Sequence, residues 1–438
     1  MKANGLTSCV LLASALVLSA CGGSSSNDSA TAESFLQFYN GAAGTGNAIL
    51  SAGDKSVGSA TYGDVSSVIS LEPDSYTLQV KDVATSASLL SKDLPLVVDN
   101  KALFILTQQG QQYDYLTVDV SRTEPEEGKF KLHLVNLSAQ HSQLDLYMAQ
   151  VGNGFENADK LDSLSQNEVS TEVVNNDIGQ YRFFLTAAGS QTPLFTTDAI
   201  NFAYRNSYVL IVRDKFGPIA NQLSLDIVLN STTVAAHNDV DAGAQFRVYN
   251  SLATSVALTL DNVSAGSVAA GQLSAYQDHA KGDFSLSVRD ADNNLLLNSA
   301  LLSLAAGESK AVLLYNNKAG ATEALAVAEK DSPQQKSHDL IVANLVADFD
   351  RLQFYFVRQN ETIADARYHV KNLDFKKQQS LTLPEDYYAI ALVQVAENGS
   401  TTLLDKTDLL QLTPAKHYML LAEQDDAAPS GYKLTLAH

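Results

Sequence analysis

The chain is 438 residues long, 45% hydrophobic, and carries 29 Lys and Arg against 49 Asp and Glu, a formal net charge of −20. That acidity argues against nucleic acid as a partner, because a polyanion is held by a basic face, and it leaves no basic patch for anionic lipid. The only cysteines are Cys9 and Cys21, so beyond residue 21 there is neither a disulfide framework nor a thiolate ligand for zinc or iron–sulfur chemistry.

Lys2 supplies a positive start, and residues 10–18 form an apolar run of signal-peptide length, too short to span a bilayer as a helix. The run ends in Leu18-Ser19-Ala20-Cys21, followed by Gly22 and Gly23. Small residues before a cysteine at this point resemble the lipobox of bacterial lipoproteins. The resemblance implies removal of residues 1–20 as a signal peptide and acylation of Cys21 by diacylglycerol and a further chain such as palmitate, the membrane being reached through that anchor. Two chains matter because one holds a protein only marginally. Gly22, where retention at the inner membrane usually needs Asp, implies the outer membrane, with the periplasmic or the outer face left open. Residues 21–33, rich in Gly, Ser and Ala, read as a lipidated flexible tether whose coil reaches roughly 20 Å.

Four units follow, at 34–128, 129–240, 241–333 and 334–438. Each opens on an alternating strand ending in asparagine: Asn40, Asn136, Asn250 and Asn344. A second strand comes next, clearest at 144–147, 256–260 and 352–356. Residues 62–80 then give a turn at Glu72-Pro73-Asp74 and a strand, Tyr76-Thr77-Leu78-Gln79-Val80, in which apolar and polar residues alternate, so one face is buried and one wet. The stretch returns at 270–288, where Gly271 matches Gly63, Ser274 matches Ser66 and Val288 matches Val80. Looser copies contain Tyr181 and Tyr388. A leucine-rich stretch leads to a final apolar strand, 27 residues beyond the core aromatic in the first three units (Tyr76 to Leu103, Tyr181 to Tyr208, Phe284 to Ala311) and 30 in the fourth (Tyr388 to Tyr418). Repeats of about 100 residues made of short strands predict an all-β chain of four tandem Ig-like β-sandwiches in an elongated array. Residues 157–166 are the one stretch that reads as a short helix, inside an insertion.

The pattern Tyr62-Gly63…Ser66…Tyr76-Thr77-Leu78-Gln79-Val80 resembles the bacterial exported domain catalogued as domain of unknown function 4397. The third unit is similar, with Ala270 and Phe284 in place of the two tyrosines. The resemblance implies an Ig-like fold and brings no catalytic residue with it.

No nucleophile elbow, phosphate loop or His-Glu-x-x-His motif occurs, and the eight histidines show no metal-ligand spacing. His133 and His417, in or beside strands, read as structural. Asp290, Asp292 and Asn294 space three oxygen side chains as a calcium loop does, but Leu295 and Leu301 stand where the turn glycine and closing glutamate belong, so a plain hairpin turn is the preferred reading. Asp239 and Asp241 offer a second weak calcium candidate at a joint. The four strand-end asparagines read as turn caps. No cofactor is expected, and no catalytic residue can be named.

The expected function is therefore that of a non-enzymatic outer-membrane lipoprotein acting as an interaction or adhesion module toward a protein or polysaccharide. A periplasm-facing structural partner of an envelope complex is the alternative. An envelope hydrolase with a site assembled across units is the third.

Overall fold

The computed structural model describes residues 32–438; the signal segment, Cys21 and most of the tether lie outside them. The described residues form eight β-sheets, two per unit, and their only helix is a 3₁₀ turn at Phe155–Asn157. The fold is all-β, four sandwiches in tandem.

One plan serves all four units. The opening strand (Ser34–Asn40, Lys129–Asn136, Ala244–Asn250, Ser337–Asn344) lies parallel to the strand read from sequence as the final one (Asn100–Gln109, Ser207–Asp214, Ser309–Asn316, Met419–Gln424). That strand is not the last. A closing strand pairs antiparallel on its far side: Gln112–Ser121, Leu223–Val228, Thr322–Ala328 and Tyr432–Ala437. The second sheet of the first unit has the order Lys55–Thr61, Asn47–Ala52, Ser75–Asp82, Ser88–Pro95. Ile69–Leu71 and Ser75–Asp82 sit in different sheets, so the turn at Glu72-Pro73-Asp74 carries the chain over the sandwich edge.

Alternation sets the cores. Leu36, Phe38, Leu78, Val80, Phe104 and Leu106 fill the first sandwich, while Thr77 and Gln79 face water. Each of the other units has its own core of the same kind. The central strands are apolar on both faces, and their outward face is buried too. Tyr39, Leu103, Ile105 and Val118 of the first unit pack against Val135, Val209, Ile211 and Val228 of the second. Tyr249, Leu313, Tyr315 and Val327 of the third pack against Ile341, Ala343, Met419 and Leu421 of the fourth. The units are thus joined as two pairs through sheet-on-sheet seams, a contact the strand pattern alone did not announce. The pairs also touch: Lys215 Nζ lies 2.9 Å from Asp331, and the Phe216 N–H donates to the Asp331 carbonyl at 2.9 Å.

The helix expected at 157–166 is absent. Asp159–Ser165 is a strand paired with Gln143–Gln150. The short stretch gains more from a sheet edge than from fewer than three isolated turns of helix. Phe155 anchors the turn before it, packing edge-on to Tyr147 and Phe184 at centroid distances of 5.0 and 5.6 Å.

Candidate interaction site

The strand-end asparagines are the most regular polar feature, and each is fully buried. The side-chain oxygen accepts the N–H two residues on, at 3.1 Å for Asn40 and 3.0 Å for Asn136, Asn250 and Asn344. The amide nitrogen reaches the opposite sheet and donates to the carbonyls of Ala60, Leu164, Val268 and Leu373 at 3.0–3.2 Å. They cap the turn, as read from sequence, and also clamp one sheet to the other. A left-handed residue closes the device by donating its N–H to the asparagine carbonyl: Gly63, Asn167, Gly271 and Lys376, with φ from +58° to +76°. Gly63 has a second constraint, since a Cβ there would meet Arg213 Nε at 2.5 Å. Ser66, Ser170 and Ser274 each accept an opening-strand N–H (Phe38, Leu134, Val248) and donate to the next residue's carbonyl. The hydroxyls of Tyr76, Tyr181 and Tyr388 donate to the carbonyl four residues back, pinning the start of the strand.

That corner is what the Tyr-Gly-x-x-Ser pattern encodes. Residues 34–147 match the family model described as Domain of unknown function (DUF4397). The match spans the first unit, which carries the Tyr62-Gly63…Ser66 pattern, and the opening strands of the second; the third unit lies outside it. No curated protein matches the sequence. Among solved structures, the chain is similar to a crystal structure of BcpA, the major pilin subunit of Bacillus cereus, at 10% identity, 67% coverage of this chain, 97% of that one and a TM-score of 0.15. It is also similar to CBMbc, a family CBM26 module of Eubacterium rectale Amy13K in complex with maltoheptaose, at 14% identity, 42% and 92% coverage and a TM-score of 0.16.

Beyond that corner, buried polar groups gather at the seams. Tyr39 of the first unit donates to Asp226 of the second at 2.8 Å; Arg213 Nε and Ser224 Oγ hold the same carboxylate at 2.6 and 2.7 Å. Burial first, then the Asp226 charge, pushes the Tyr39 phenol well above its usual range. In the second seam Tyr249 donates to Glu423 at 2.8 Å, with Thr435 on the same carboxylate. Arg247 pairs there with buried Glu329, which also takes the hydroxyls of Tyr276 and Ser309.

The weak calcium candidates are used by the fold. Asp290 accepts the backbone and side-chain N–H groups of Asn294, both at 2.8 Å, and these bonds hold its carboxyl below the ordinary range. With Asn293 at φ +67° this is a hairpin turn between Gly282–Asp290 and Leu295–Leu304. Asp239 accepts the N–H groups of Thr196 and Asp241, fastening the second unit to the joint that follows it. Among the described residues, no group of three or more His, Cys, Asp or Glu is placed to hold a metal. His338 is fully buried against Tyr418, and burial lowers its pKa as it does that of His133 and His417. Both ring nitrogens of His338 are buried without a hydrogen-bond partner, and His133 Nε2 lies 3.5 Å from Glu172.

The surface is more informative than the interior. Leu295–Leu304 is the outer strand of its sheet, with Leu295 46% and Leu301 72% exposed. An open edge with apolar side chains is a template on which an extended segment can pair. Read from sequence, this stretch is only the leucine-rich connector that leads to the next apolar strand. The signal was there, in leucines lying outside the alternation that fills the core.

Proposed function

We propose that the protein is a non-enzymatic interaction module of the bacterial cell envelope, held at the outer membrane through acyl chains on Cys21 and displaying its paired sandwiches toward a protein or polysaccharide partner. The observation that carries this reading is the disposition of polar groups. The buried carboxylates, guanidinium groups and asparagines are spent on corners and seams, while the open edge at Leu295–Leu304 is left for contact. Paired units make a stiff display, because each seam buries apolar side chains together with bonded polar groups, and these contacts must be broken before two sandwiches can move apart. Fold alone does not dictate function, so location is the point to test.

The experiment is protease treatment of intact cells, with lysed cells and a periplasmic marker as controls. Loss of the protein while the marker survives supports display at the surface. Survival until lysis overturns it and moves the reading to a periplasm-facing structural partner.

A further inference from the structure

The two seams solve the same problem differently. In the second, the buried cation Arg247 is neutralised by Glu329, which follows the closing strand and is bonded through its N–H to the Ser309 carbonyl. In the first, Lys101 occupies the place of Ser309 on the central strand, and the residue across from it is Val120. Lys101 is 2% exposed. Its ammonium donates to Gln37 Oε1 at 3.2 Å, and among the described residues it has no carboxylate within ion-pair distance. A buried ammonium with three donors and one neutral acceptor is under-neutralised.

Lys101 lines a cleft of about 70 Å³ at the joint of the first two units. Arg122, Arg205, Ser207 and Asn230 line it too, and so does Glu124. Ser207 is 6% exposed and its hydroxyl has no partner. Arg122 lies over the Phe35 ring, 3.9 Å from its centroid, which keeps its guanidinium at the cleft. Glu124 is 3.5 Å from Arg205 and largely in water. Three cations therefore face one exposed carboxylate, on a chain whose formal charge is −20.

We propose that this cleft binds a single oxyanionic group, phosphate or sulfate in size and charge, held by Lys101, Arg122 and the Ser207 hydroxyl. The ligand supplies the negative charge that Glu329 supplies inside the second seam. Such a group could be a free ion or could be carried on a polymer, and both present the same chemistry. The site stands apart from the function proposed above, since neither the membrane face nor the open edge enters the argument.

The test is thermal unfolding and calorimetric titration of the full chain with sodium phosphate and with sodium sulfate, at constant ionic strength against chloride. Wild-type protein should show saturable stabilisation by either ion. Lys101→Met should lose at least tenfold in affinity, and Ser207→Ala several-fold. Should Lys101→Met fold poorly, Val120→Glu serves instead, because an internal carboxylate there should make the anion response disappear. Dextran sulfate distinguishes the sources: binding lost in Lys101→Met points to a polymer-borne group, and no binding beside a response to the small ions points to a free one. No anion response in the wild type, or equal responses in wild type and Lys101→Met, overturns the proposal.

Discussion

The first seam makes a quantitative prediction through Arg213. Asp226 has a fully buried side chain, and its partner Arg213 is only 14% exposed. Arg213→Met keeps the apolar stem and removes the charge, so Asp226 is left buried with only the hydroxyls of Tyr39 and Ser224. Breaking a buried pair from one side costs about 3–5 kcal/mol, and the two remaining hydroxyl donors argue for about 3. That is a large part of the 5–15 kcal/mol by which a domain is typically stable. Urea unfolding followed by circular dichroism should show the loss as a lower midpoint, with hydrogen exchange accelerated along Ser34–Asn40 and Ser207–Asp214. The second pair should be spared, because its seam uses Tyr249 and Glu423. Arg213→Met with Asp226→Asn should recover most of the loss, since the amide still accepts from Tyr39 and no buried charge remains. A cost below about 1 kcal/mol, or a double variant as unstable as the single one, would show that the seam is wet and that this reasoning is wrong.

Two further outcomes follow from single positions. Gly63→Ala and Gly271→Ala both place a Cβ at positive φ, but only Gly63 has Arg213 in the way, whereas nothing lies within 4 Å at Gly271. Thermal unfolding should show about 1 kcal/mol lost at Gly271 and clearly more at Gly63; equal losses would deny the Arg213 contact. The second concerns pH. Burial, helped by the neighbouring Arg122 charge, lowers Lys101 from 10.5 to about 8. Between about pH 8 and pH 10.4 the unfolded chain then binds more protons at this residue than the folded chain, so its contribution to stability rises with pH. At 1.36 kcal/mol per pK unit the full change is about 3 kcal/mol. Relative to Lys101→Met, without added anion, wild type should therefore gain stability from pH 7 to pH 10. A gap that stays constant across that range rules out a perturbed lysine.

The four-fold repeat was legible because alternation is a local property. A strand wetted on one face, such as Tyr76-Thr77-Leu78-Gln79-Val80, announces itself. The asparagine caps were legible for a similar reason, since the side chain reaches only two residues on for its acceptor role. Its second role, across to the other sheet, was hidden, because nothing in the spacing from Asn250 to Val268 says that they meet. The seams were hidden too, although the trace was present. Leu103-Phe104-Ile105-Leu106 does not alternate, and a strand apolar on both faces must be covered on both. The leucine-rich run at 295–302 carries a comparable excess and ends at an open edge. An unalternating apolar strand thus says that a second layer exists, but not which layer it is. The helix expected at 157–166 failed on the same ground, since pairing with Gln143–Gln150 decides its state and lies outside the window.

The seams also show that pairing is built into the design of the units. Register against the opening strand places Arg213 and Glu423 at equivalent points of the central strands, two steps beyond Ile211 and Leu421. The closing strands then place Asp226 opposite Ile211 and Thr435 opposite Leu421, with Ser224 and Lys433 facing the two charged residues. In the first seam the acid is on the closing strand and the cation on the central one. In the second the acid is on the central strand, and Lys433, 3.6 Å from it, is on the closing one. Tyr39 and Tyr249 occupy the same place in both and donate to whichever carboxylate is present. A phenol buried in an apolar layer needs an acceptor there, and two arrangements of opposite polarity both provide it. Chance contact between neighbouring beads would not place a carboxylate under that hydroxyl twice by different routes. The stacked pair, rather than the single sandwich, is therefore the unit in which this chain is built.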